Sequence, residues 1–227
     1  MKKVILILML IIAGFESYAQ NLSETTRKKF STIIDVYNDF YLNIPDSVSN
    51  RLFNPGAGIS GLYDFRFGKS NFSFAIGGGI SSHNFHSNSF TVVDENGVTS
   101  LKRIKSLYPS VSNYERNKIS FTYFDIPMEF RLRTKKNIRA AIGFKFGFLL
   151  ESHSKYRGDD YLYNTTNQLF VKFKDVENIQ DLRYGLTARF GWKFINLTGF
   201  YSFSNIFEED KGPDIYPFSV GISLMPF

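Results

Sequence analysis

Three histidines, His83, His86 and His153, are the side chains in this sequence best suited to proton transfer. Ser81 and Ser82 precede the first, and Ser152 and Ser154 flank the last. A histidine that takes the proton of a neighbouring hydroxyl turns it into a nucleophile for acyl transfer. A small acyltransferase or lipase is therefore one reading of these positions, but no surrounding motif supports it, and surface histidine is the default. His83 and His86 are three residues apart, so a regular strand points them to opposite faces, which argues against a shared metal. The chain has no cysteine, and that excludes disulfide, zinc–thiolate and thiol-nucleophile chemistry. Gly56-Ala57-Gly58-Ile59-Ser60-Gly61 spells GxGxxG, yet a dinucleotide site needs a strand before it and a helix after it. Here Asn54-Pro55 precedes the motif and Tyr63-Asp64-Phe65 continues a strand pattern. No catalytic residue, cofactor site or metal ligand is expected.

Charged residues form two further groups. Asp64, Arg66, Asp125, Glu129, Arg131, Lys145, Arg183 and Arg189 fall on the polar side of alternating segments. Enclosed together, they would form either an ion path or a salt-bridged plug, and buried charges need such partners. Lys102, Arg103, Lys105, Arg116, Lys118, Lys155 and Arg157 lie instead in longer intervening segments. Basic side chains of this kind pair readily with phosphate, although solvated charge explains them equally well. The net charge of +6 comes from scattered residues, with no arginine-rich run or recognition helix, so no nucleic-acid partner is expected.

The elements that must hold these groups are strands. In Ile138–Glu151, Ile138, Ala140, Ile142, Phe144, Phe146, Phe148 and Leu150 share one face; Arg139, Ala141, Gly143, Lys145, Gly147, Leu149 and Glu151 share the other. Arg183–Lys193 alternates in the same way. Gly143, Gly147, Gly185 and Gly191 on the polar face do not suit a solvated sheet, because glycine weakens a strand. They do suit a narrow lumen crowded with long charged side chains. Further strands are expected over Phe30–Asn43, the least regular, and over Ala57–Phe67, Phe72–Phe85, Lys118–Arg133, Ile195–Ser204 and Tyr216–Met225. Within Lys118–Arg133 the large residues change parity, from Ile119, Phe121 and Tyr123 to Phe124, Ile126, Met128, Phe130 and Leu132. A β-bulge near Tyr123 would return them to one face. Phe90–Val93 and Val98–Leu101 flank Asp94-Glu95-Asn96-Gly97, a plausible hairpin turn.

Eight strands result, joined by connections that alternate long and short. Strands of about ten residues, even in number, with short turns on one side and long loops on the other, describe an outer-membrane barrel. The fold expected is all-β: an eight-stranded antiparallel up-and-down transmembrane β-barrel with long external loops. Eight strands leave room inside for side chains only, which favours the plug. The N-terminus agrees with export. Lys2 and Lys3 precede the apolar run Val4–Ala13, and Ser17 and Ala19 precede Gln20 as a cleavage site would require. Residues 1–19 are therefore expected to be a signal peptide, and residues 20–227 the barrel of a Gram-negative outer membrane.

Tyr123-Phe124-Asp125-Ile126-Pro127-Met128-Glu129-Phe130, together with Leu197-Thr198-Gly199-Phe200-Tyr201-Ser202 and Lys211-Gly212-Pro213-Asp214-Ile215-Tyr216-Pro217-Phe218, resembles the PorT-like outer-membrane β-barrel proteins. Asp125 stands where that family usually has glutamate. The resemblance implies the same barrel and, through the family's namesake, a link to protein secretion. Terminal Phe227 is expected to be the assembly signal read by the barrel-insertion machinery, although Pro226 puts it off the face of Phe218, Val220, Ile222 and Leu224. In an outer membrane the basic loop residues, chiefly Lys102, Arg103, Lys105, Lys155 and Arg157, would face lipopolysaccharide. The expected role is non-enzymatic, through extracellular loops or within a cell-envelope or secretion assembly that includes a protein partner. The alternative is a small membrane-embedded lipid-modifying enzyme.

Overall fold

A computed structural model describes residues 29–225 except 112, 164 and 166. The expected signal peptide over residues 1–19, the mature start at Gln20 and the terminal Phe227 lie outside the described residues. Eight strands close into an antiparallel barrel. They are β1 (Phe30–Leu42), β2 (Pro55–Arg66), β3 (Phe72–His86), β6 (Tyr114–Arg133), β7 (Ile138–Asp159), β9 (Leu182–Trp192), β10 (Ile195–Ser202) and β11 (Tyr216–Leu224). Neighbours in the chain pair in turn, and β1 closes the ring against β11, from Ile34 opposite Leu224 to Leu42 opposite Tyr216. Among the described residues the remaining strands, β4 (Ser89–Val93), β5 (Thr99–Arg103) and β8 (Gln168–Lys174), and a one-turn helix, α1 (Ile104–Leu107), belong to the long connections.

The turns at one end of the barrel are tight. Gly68, Asn137 and Lys193 each adopt a positive φ there, at 58°, 62° and 54°. At the other end lie the connections 43–54, 87–113, 160–181 and 203–215. The β4–β5 hairpin turns through Asp94–Gly97, as its sequence suggests. The Asp94 carboxylate accepts from the backbone N–H groups of Asn96 and Val98, and Gly97 takes a φ of +79°.

Alternation sorts the side chains as the sequence implies. Ile142 and Phe190 are 62% and 64% exposed on the outside. A belt of this kind is stable only where lipid replaces water. The inward glycines stand where backbones and charged groups crowd. A Cβ on Gly143 would lie 2.1 Å from the Met128 carbonyl oxygen, and one on Gly147 would lie 2.6 Å from Asp125 Oδ1.

The parity change at Tyr123 resolves differently from expectation. Strand β6 keeps constant register with β3 from Phe72–Leu132 to His86–Lys118, so its odd-numbered residues face inward throughout. Ile119, Phe121 and Tyr123 are buried inside the barrel instead of returning to the outer face. The extra residue is on β7: pairing passes from Thr122–Glu151 to Tyr123–Leu149 and leaves Leu150 as the bulge. Its effect is to turn β7 above that point, so that Ser152 and Tyr156 are buried while Glu151 and Arg157 are exposed. The physical reason is an apolar plug. At the long-loop end, Tyr41, Phe85, Ile119, Phe121 and Tyr123 pack with Leu101, Ile206, Phe207 and Ile215 from the connections. The lumen is polar only below this lid.

Strand β7 also runs on to Asp159, 22 residues in all. Its upper part pairs with β6 on one side and with β8 on the other. The segment 152–182, expected to be loop, thus supplies two strands of a three-stranded extension of the barrel wall, with β6 as the third.

Candidate functional site

Below the lid the lumen holds two ionic clusters. Near the short-turn end, Arg131 binds Asp64 at 3.0 Å and Glu129 at 2.8 Å, and also donates to Ser31. Arg189 binds the other oxygen of Glu129 at 3.0 Å and grips Asp35 with two guanidinium nitrogens at 2.9 and 3.1 Å. Ser223 donates to Asp35, and Ser31 and Ser73 donate to Asp64. Midway up, Asp125 is held by Lys145 at 3.1 Å and by Arg183 at 3.0 Å. The Arg183 guanidinium lies 4.1 Å from the centre of the Tyr123 ring, and the Lys145 ammonium 4.3 Å from that of Phe200. The quadrupole of an aromatic face attracts a cation, which offsets part of the cost of taking it out of water.

Seven of the eight charged residues predicted from sequence meet in these clusters. Arg66, the last residue of β2, is exposed at the mouth instead, where it lines a cavity of about 130 Å³ with Asp64 and Arg133. Two luminal acids escaped the sequence reading: Asp35 and Asp39 on β1. They stand four residues apart in the chain, on the face that also carries Ser31, Tyr37 and Tyr41. That acidic spacing, set against the excess of luminal arginines, is the signal that would have found them.

Asp39 anchors a third arrangement. His83 Nδ1 lies 2.9 Å from Asp39 Oδ1, and its Nε2 lies 3.1 Å from the Tyr37 hydroxyl and 3.3 Å from Ser81 Oγ. Ser219 also donates to Asp39, at 2.5 Å. Serine, histidine and aspartate thus stand in the order of a hydrolytic relay, and two of them were candidates from sequence. The surroundings do not suit acyl transfer. Ser81 and His83 are each 4% exposed and Asp39 is fully buried. The adjoining space, lined by Ser81, Asp125 and Lys145, amounts to about 30 Å³, room for a water and not for an acyl chain. His86 points away from His83, as their spacing predicts, and its Nδ1 lies 3.2 Å from Asn54 Oδ1. His153 lies on the outer side of β7, 3.3 Å from Glu151. Gly56–Gly61 falls wholly within β2 and no helix follows it, so the phosphate-loop geometry is absent there.

Above the lid the long connections build a cap with its own core. Phe90 of β4, Tyr108 after α1, Tyr156 of β7 and Tyr161 pack ring against ring, with centroids 4.6 to 6.2 Å apart. Beside them opens a cavity of about 260 Å³ lined by Phe90, Tyr108, Asn117, Ser154, Tyr161 and Phe173. Burial, and then the neighbouring Tyr108, raises the Tyr161 phenol above its ordinary value. Asp160 fixes the turn that carries this ring. Its carboxylate accepts from the N–H groups of Leu162 and Tyr163 and from the Thr165 hydroxyl; the Tyr163 N–H, first among these donors, holds it below the usual carboxylate range.

The basic residues separate into two places. Lys102 and Arg103 are exposed on β5 and Lys105 on α1, with Arg103 donating to the Ser47 carbonyl. Lys155 and Arg157 lie on the outer flank of β7, opposite Lys118 and Arg116 of β6.

A family described as the outer membrane protein beta-barrel domain matches residues 20–208 of this chain. Among solved structures, the chain is similar to Ail, the attachment invasion locus protein of Yersinia pestis. The identity is 12%, the match covers 87% of this chain and 97% of Ail, and the TM-score is 0.40. The structure of Ail with the heparin analogue sucrose octasulfate matches at 10% identity over the same shares, with a TM-score of 0.37. A mutant Rh. blastica porin matches at 8% identity, over 86% of this chain and 99% of the porin, with a TM-score of 0.22. No curated protein matches.

Proposed function

The chain belongs to the family of outer membrane protein β-barrel domains, and from that premise we propose that it is a non-enzymatic recognition barrel whose long connections engage a cell-envelope partner. Barrels of this class place short turns in the periplasm and long loops outside. One observation carries the proposal. The lumen is closed twice, by the Arg131–Arg189 ionic network and by the apolar lid, whereas the connections above form an ordered cap with an open cavity. Connections beyond about 12–15 residues are usually functional when they are ordered. The PorT-like resemblance of Tyr123–Phe130 supports a partner within a cell-envelope or secretion assembly.

The proposal is tested at the cap. A photo-crosslinking residue at Tyr163, which is 79% exposed, is expected to capture a discrete envelope component from intact cells. Tyr108→Ala with Tyr161→Ala should abolish that product while the barrel still migrates as folded on an unheated gel. An unchanged crosslink in the double variant would put recognition elsewhere.

The Ser81–His83–Asp39 geometry is the one observation that favours a lipid-modifying enzyme. Its enclosure argues for a structural role, in which His83 satisfies the buried Asp39 carboxylate. Ser81→Ala is accordingly expected to leave the membrane's lipid composition, read by mass spectrometry, as in the wild type. A lipid species that accumulates or disappears only in Ser81→Ala cells would favour the enzyme.

A further inference from the structure

The outer flank of β3, β6, β7 and β8 changes character in regular steps away from the membrane. Ile80, Phe124 and Phe148 stand opposite one another at the top of the apolar belt. Beyond the bulge at Leu150 come Ser82, Thr122 and Glu151, then Asn84, Ser120, His153 and Lys174. The next rung is His86, Lys118, Lys155 and Lys172, and above it Arg116, Arg157 and Phe170. The run of exposed apolar side chains on β3, β6 and β7 ends at Ile80, Phe124 and Leu150, and these cations lie beyond it.

Three lysines directly opposite one another across three strands work against folding. Paired side chains in an antiparallel ladder are about 5 Å apart at Cβ, and like charges there repel. The carboxylates of this flank neutralise it only in part: Glu151 lies 3.3 Å from Lys172, and Glu115 lies 3.0 Å from Arg157. Lys118 donates to Asn84. Burial, and then the charges of Lys155 and Arg116, lower the Lys118 ammonium to about 8. Among the described residues Lys155 and Arg116 have no carboxylate within ion-pair distance, and Lys174 shares Glu151 with Lys172 and His153.

We propose that the Lys118–Lys155–Lys172 rung, with Arg116 and Lys174 beside it, binds the phosphorylated sugar headgroup of an outer-leaflet glycolipid whose acyl chains lie on the belt below. Phosphate accepts several charge-assisted hydrogen bonds from such a cluster and removes the repulsion that the empty rung suffers. The position selects a lipid over a soluble polyanion. These residues continue, without a change of face, the row of side chains that contacts lipid at Phe124 and Phe148, and they point sideways into the headgroup layer instead of upward from the cap. The inference rests on the long connections being external, and not on what the cap recognises.

Full-length protein purified in detergent tests it, with bisphosphorylated lipid A as the probe and native mass spectrometry as the readout. Wild type is expected to retain this lipid and to release the dephosphorylated form with the same acyl chains. Lys155→Gln should weaken retention about 5-fold, and Lys155→Gln with Lys172→Gln about 25-fold, at roughly 1 kcal/mol per basic residue. Lys102→Gln with Lys105→Gln, on the separate hairpin, should change nothing. Without lipid, Lys155→Gln should melt no lower than wild type, because it relieves like-charge contacts. Equal retention by the double variant, or by the dephosphorylated lipid, overturns the proposal. Competition by a sulfated oligosaccharide without acyl chains, at the affinity of the lipid, overturns it in favour of a soluble polyanion.

Discussion

Arg189→Leu is expected to destabilise the barrel by about 3–5 kcal/mol, the usual cost of removing one partner from a buried ionic cluster. Arg189 joins two acids that nothing else joins: it holds Asp35 with two nitrogens and Glu129 with a third. Among the described residues its loss leaves Asp35 with only the hydroxyl of Ser223, and leaves Glu129 to Arg131, which Asp64 also claims. The penalty comes from the stranded carboxylates and not from the missing guanidinium. Adding Asp35→Asn and Glu129→Gln to Arg189→Leu should therefore recover much of the stability, because neutral groups cost less to enclose. Urea titration of the protein folded in lipid vesicles, followed by gel mobility, measures both effects. If the triple variant is no more stable than Arg189→Leu alone, the network does not act by charge compensation.

The second large effect lies on the opposite face. Phe146 sits mid-strand on the outer face of β7, opposite Ile126 and Tyr184 of the adjoining strands. Phe146→Lys should cost about 2–4 kcal/mol, as a lysine facing lipid near the midplane does. Phe170→Lys makes the same chemical change on an outward aromatic, but above the belt on β8, where the cost should fall to about 0–1 kcal/mol. Folding efficiency into vesicles, scored by the heat-sensitive gel shift, compares the two. Similar losses at both positions would mean that the belt extends higher than Leu150. A tolerated Phe146→Lys would mean that this face meets water.

The sequence alone determined the barrel because its information is local and periodic. Alternation in 138–151 and 183–193 separates a lipid face from a luminal face one residue at a time, and glycines such as Gly143 and Gly147 mark the crowded side. Turn residues and connection lengths then fix which ends meet. The same periodicity gathered Asp64, Asp125, Glu129, Arg131, Lys145, Arg183 and Arg189 onto one side, and the barrel brings them within ion-pair distance. The hairpin at Asp94–Gly97 was legible for a similar reason, since its turn chemistry is contained in four residues.

What only the tertiary structure decided is what lies across the lumen and above the membrane. Parity shows that Ile119, Phe121 and Tyr123 share a face. Whether that face meets lipid or a core depends on what the distant connections supply, and Leu101, Ile206, Phe207 and Ile215 fold in to make it a core. The bulge fell on Leu150 of β7 because the extra residue belongs to whichever of two paired strands must change face, and a single strand's pattern does not contain its partner. The segment Gln168–Lys174 alternates well enough for a strand but gains one only because β7 outlasts β9 and leaves an edge to pair. The Asp39–His83–Ser81 relay and the lysine rung arise in the same way. Ser81 and His83 are neighbours on one strand, but Asp39 is 44 residues from His83, and Lys118, Lys155 and Lys172 come from three strands; closure of the sheet sets them side by side, where Coulomb forces act across strands in a way that no linear pattern records.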